Sequence, residues 1–174
     1  MKRTLVLFTL IMCFAMGLSA QSVLGKWRAQ QKTKEEGTLT IEMTFKADKT
    51  LLMEMFVSME EAEEVEMQFH LNIDGTFGEK NGNALPFKLN PNKANIIIDK
   101  LNFKGEMAEQ MKNNKELETG IRNLIQEKLN ESKGEMTKEV PAEGQMIITD
   151  MTATTMKVQM DENDDEKLEF VKVD

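Results

Sequence analysis

Residues 22–28 read Ser22-Val23-Leu24-Gly25-Lys26-Trp27-Arg28, and they hold the only tryptophan of a 174-residue chain. A Gly-x-Trp that enters the first strand of an all-β chain is how a small closed barrel opens. The indole fills the closed end, and a residue without a side chain lets backbone pass close to it. Downstream, apolar residues should then recur with period two.

They do. Residues 38–47 place Leu39, Ile41, Met43 and Phe45 on one face and Thr40, Glu42, Thr44 and Lys46 on the other, because successive strand side chains point to opposite faces. Residues 51–59 repeat the pattern with Leu51, Met53, Met55, Val57 and Met59 inward. The cleanest alternation sets Val65, Met67, Phe69, Leu71 and Ile73 against Glu66, Gln68, His70 and Asn72. Asp74-Gly75, a favoured hairpin pair, is expected to close that strand. Residues 76–80, 84–89 and 94–101 read as three more short strands, separated by Asn81-Gly82 and Asn90-Pro91-Asn92. The sheet ends with residues 144–150, 155–160 and 167–173, the last two joined by an exposed acidic loop over residues 161–166.

Between them, residues 105–133 change period to about 3.6. Met107, Met111, Leu117, Ile121, Leu124, Ile125 and Leu129 share one broad half of a helical wheel, with Lys112, Lys115, Glu116, Arg122 and Glu127 opposite. One long amphipathic helix is expected, with a break at Asn113-Asn114 or Gly120 as its weak points, ended by Gly134 and barred from continuing by Pro141. Strands spaced by roughly ten residues form a meander rather than βαβ units. The expected fold is therefore all-β: an antiparallel up-and-down barrel of about 8 to 10 strands, with one helical insert over 105–133. Closure removes the free edges that invite aggregation.

Upstream, Lys2 and Arg3 precede a nearly unbroken apolar run, Leu5 to Leu18, and Ser19-Ala20 resembles a small-residue cleavage site. Residues 1–20 are thus expected to be a secretory signal and residues 21–174 a single domain. The apolar run is shorter than the ~20 residues a membrane span needs. Cys13 lies inside it, preceded by Leu10-Ile11-Met12 rather than by the small residues of a lipidation motif. Residues 21–174 then contain no cysteine, so disulfides and thiol chemistry are excluded and a bacterial periplasm or exterior is the expected compartment. Two of the 22 basic residues and none of the 30 acidic ones fall in residues 1–20, leaving 20 against 30, a net charge of −10. Such a surface argues against nucleic acid or anionic membrane as a partner.

Several segments resemble the lipocalin-like domains of secreted bacterial proteins, a calycin-type barrel. They are Gly25-Lys26-Trp27, the turn from Phe45 to Thr50, the stretch from Asn72 to Phe77, and the tail from Met146 to Met151 and from Leu168 to Val173. The resemblance implies a barrel that carries a small molecule. It also implies a Thr-Asp-Tyr loop and a late arginine over the tryptophan. This chain has no tyrosine and no arginine after Arg122; Thr149-Asp150-Met151 and Lys172 stand in those places.

Catalytic chemistry has little to work with. Nucleophilic catalysis needs a base beside its nucleophile, and the single histidine, His70, falls on the polar face of its strand, where an exposed surface residue is expected. Phosphate and dinucleotide fingerprints are absent. The run Asp161-Glu162-Asn163-Asp164-Asp165 starts like a calcium loop but has Glu166 where the invariant glycine belongs. No enzyme activity, metal or cofactor is expected. Methionine is the unusual residue, fifteen in all, and its flexible, polarisable side chain suits an interior that adapts to apolar ligands. The expected function is binding of a small hydrophobic molecule in an apolar interior lined by Met43, Phe45, Met53, Met55, Met67, Phe69, Met156 and Val158, with Gly25 and Trp27 in structural roles. The alternative is a non-enzymatic structural or interaction module with a solid core and a protein partner.

Overall fold

The computed structural model describes residues 22–32, 38–61, 65–138, 140–160 and 167–173. The expected signal segment, Cys13 and the acidic 161–166 loop lie outside the described residues. The elements are β1 (Gly25–Lys32), β2 (Thr38–Phe45), β3 (Thr50–Glu61), β4 (Val65–Phe77), β5 (Ala84–Leu89), β6 (Asn95–Phe103), α1 (Gly105–Asn113), α2 (Lys115–Met136), β7 (Glu143–Met151), β8 (Thr155–Gln159) and β9 (Leu168–Val173).

Every strand pairing is antiparallel. The ring β1-β2-β3-β4-β5-β7-β8-β9 closes when β9 pairs with β1, giving an eight-stranded up-and-down barrel. β6 is a ninth strand outside the ring. The thirteen-residue β4 makes this arrangement work: Gly75–Phe77 at its end pair with β5, while residues 65–72 pair with β6 on the same side.

Two expectations are corrected here. Asp74-Gly75 is no hairpin, for β4 runs straight through it to Phe77. Gly75 sits opposite Leu89, and a Cβ there would stand 2.2 Å from the Lys88 carbonyl oxygen. The glycine is needed for close approach of β5, not for a turn. The insert is two helices, one of them long, and the break falls at Asn113-Asn114, one of the two weak points expected; what is corrected is its end. Asn114 separates them, its side chain accepting a hydrogen bond from the Leu117 amide at 3.0 Å as the N-cap of α2. Gly134 does not end α2, which continues to Met136.

The period-two residues fill the barrel. Trp27, Met43, Phe45, Ile73, Leu85, Met146, Met156, Val158 and Phe170 form one buried cluster. A second, smaller cluster joins Phe69, Leu71 and Ile96 to Leu129 of α2. Since Ile73, Leu71 and Phe69 follow one another on the same face of β4, α2 packs against the continuation of the barrel's inner surface. It covers the end that the six-residue β5 is too short to wall off. Arg122 Nη2 and Gln126 Nε2 of α2 donate to the carbonyls of Leu101 and Ile96, at 2.9 and 3.4 Å. Both carbonyls belong to β6, whose outer edge has no strand neighbour among the described residues, so these bonds occupy acceptors that an edge would otherwise offer to another chain.

At the opposite end Trp27 is fully buried, and its Nε1 donates to the Val23 carbonyl at 2.7 Å. The glycine before it has φ +122°, a conformation that side-chain-bearing residues rarely adopt.

Candidate functional site

The eight residues expected to line a ligand site are all turned inward, but they divide between the two clusters. Met43, Phe45, Met53, Met156 and Val158 belong to the barrel cluster. Phe69 belongs to the helix-covered cluster, with Met67 packed against it. Met55 touches both. It is the apolar link between the barrel interior and the space beneath α2.

That space opens to solvent as a pocket of about 280 Å³ between α2 and β4, lined by Met67, Leu124, Ile125, Lys128, Leu129 and Ser132. Leu129 is its buried wall, and Leu124, 54% exposed, forms an apolar lip. The α2 residues were legible only as a helical stripe, because a 3.6-residue period marks a face for burial without saying what the face will meet. Leu117 and Leu124 of that stripe are in fact exposed. Other surface pockets among the described residues include a more polar one of about 370 Å³ near Lys104, Lys112 and Arg122, and one of about 240 Å³ at the closed end near Val23 and Phe77.

The outer face carries the charged chemistry. Glu42, expected among solvated outward residues, is only 3% exposed. Lys26 forms an ion pair with it, and Arg28 Nε donates to it at 2.6 Å. Lys26 also reaches Glu54, at 3.1 Å. Burial pushes the Glu42 carboxyl up, but the bonds from Lys26 and Arg28 together outweigh it and hold the group below the ordinary glutamate value. The bond to Glu42 holds Lys26 above the ordinary lysine value. One carboxylate thus ties two cations on β1 to the outside of β2 and, through Lys26, to β3.

His70 also faces outward, yet its side chain is only 12% exposed. Its Nδ1 lies 2.8 Å from both carboxylate oxygens of Asp99 on β6, and the Phe56 ring covers it with centroids 5.0 Å apart. The carboxylate fixes the ring's orientation. Among the described residues no hydroxyl is hydrogen-bonded to it. No cluster of three or more His, Cys, Asp or Glu side chains placed to hold a metal occurs among them either. No helix among the described residues is long and apolar enough to cross a membrane.

Comparison with protein-family models, curated proteins and solved structures returns no match for this chain. Its chemistry therefore rests on the geometry above: an apolar interior, an apolar opening beside α2, and, among the described residues, ion pairs on the outside.

Proposed function

We propose that this chain is an exported, lipocalin-like binding protein that takes up a small hydrophobic molecule through the helix-covered end of its barrel. The observation that carries this reading is Met55, which joins the pocket side of the molecule to the barrel interior. A ligand displacing flexible methionine side chains there would gain from apolar area removed from water, at about 25 cal/mol per Å². Few polar groups line the path, so shape and apolar area select the ligand. The signal-like residues 1–20 and the acidic balance fit a protein working outside the cytoplasm, and neither nucleic acid nor membrane is a partner in this reading.

The test pairs two measurements on Met55→Trp. Where Met55 borders a ligand path, the indole is tolerated and displaces a fluorescent fatty-acid probe that the parent chain binds. Where the interior is solid, overpacking costs about 1 to 3 kcal/mol and neither protein binds the probe. That second outcome would replace the carrier with a structural or protein-interaction module.

A further inference from the structure

Two polar side chains line the pocket between α2 and β4, Lys128 and Ser132, and both can donate hydrogen bonds. Every other lining residue is apolar. Resting on the reading that this pocket admits the ligand, we infer that the ligand is an amphiphile with a single aliphatic chain and a carboxylate head, the chain running inward past Met67 and Leu129 and the head held by Lys128.

The present partner of Lys128 is Glu131, three residues on along α2, with Nζ 2.7 Å from Oε2. Both side chains are more than half exposed, so the pair contributes little to the fold. An incoming carboxylate can take the place of Glu131, which simply returns to water. Leu124 extends the apolar wall outward, keeping the chain on apolar surface while the head stays at the rim.

At about 280 Å³ the pocket is at the small end of ligand sites. A long chain must therefore part Leu129 from Met67 and continue towards Met55. The acidic balance of the chain opposes an anion only at long range, where salt screens beyond about 10 Å at 0.1 M ionic strength. Lys128 acts at contact, where its charge meets the head group directly.

The experiment titrates residues 21–174 with a fluorescent polyene fatty acid and with the alcohol of the same chain. The parent protein should hold the acid more tightly than the alcohol. Lys128→Met should weaken the acid by about two- to fivefold and leave the alcohol unchanged; Glu131→Gln, by freeing Lys128, should tighten the acid alone. Equal binding of acid and alcohol, or an acid affinity indifferent to both substitutions, overturns the head-group assignment while leaving the hydrophobic carrier standing. Binding of neither probe overturns the carrier and this inference together. Both substituted side chains are exposed, so unchanged melting curves are expected to confirm that each variant is folded.

Discussion

Lys172 Nζ lies 5.4 Å from the centre of the Trp27 ring, its chain passing through space that the missing side chain of Gly25 leaves open. A Cβ on Gly25 would stand 2.9 Å from Lys172 Cε. β1 and β9 are thus joined at the closed end by a cation over an aromatic face, in addition to their backbone ladder, in which Trp27 is directly opposite Lys172.

Trp27→Ala is accordingly expected to destabilise the barrel by about 3 to 5 kcal/mol, the range for large-to-small changes in a core. Gly25→Ala should cost about 1 to 3 kcal/mol from backbone strain alone, and Lys172→Met clearly less than Trp27→Ala. Urea unfolding followed by tryptophan fluorescence measures the last two, and circular dichroism the first. A neutral Gly25→Ala would show that the backbone at residue 25 leaves its positive φ without cost and that Lys172 swings aside.

Gly75→Ala places a methyl group against the Lys88 carbonyl, backbone that cannot swing aside as the end of a lysine can. It should separate β5 from β4 at the three pairs that close the ring there. Hydrogen exchange should speed up at the Gly78 amide, which donates to the Pro86 carbonyl of β5 at 2.9 Å, before it does in β2 and β3. Uniform protection across the sheet would contradict this.

Glu42 sets an acid limit. Its carboxyl titrates below 4.5, the ordinary glutamate value. The associated stability is therefore fully present above that pH and is lost as pH falls through the folded-state value. Lys26 behaves oppositely: its stabilisation is present below 10.5 and fades as pH rises through its raised value. Glu42→Gln should lower stability at neutral pH by about 1 to 3 kcal/mol and flatten the acid limb of melting temperature against pH. The cost stays below that of a fully buried pair because Lys26 and Arg28 can turn to water. Parallel acid limbs in parent and variant would remove Glu42 from the account.

On α2, burial separates two leucines of one stripe. Leu129→Ala should cost about 2 to 5 kcal/mol because Leu129 closes the cluster of Phe69, Leu71 and Ile96. Leu124→Ala should fall within about 0.5 kcal/mol. Thermal melts of the two variants side by side decide the point, and similar losses would mean that α2 packs by its whole apolar face.

Local pattern alone determined most of the strands, their inward faces and the amphipathic insert, because side-chain direction follows from backbone geometry within a few residues; the short strand expected at residues 76–80 is instead the end of β4, which stops at Phe77. Gly25-Lys26-Trp27 marked the closed end for the same reason, and Lys172 was singled out where the lipocalin-like barrels that the sequence resembles carry a late arginine. What tertiary structure decided lay between residues distant in the chain. Asp74-Gly75 reads locally as a turn; the approach of Lys88, brought alongside by β5, makes it the middle of a strand. Glu42 alternates outward like any solvated strand residue, and its burial depends on Lys26 and Arg28 arriving from β1. The helix showed an apolar face, but only the short β5 and the long β4 created the uncovered surface that Leu129 fills. Periodicity carries direction and no distance, so each partner across the barrel had to come from closure itself.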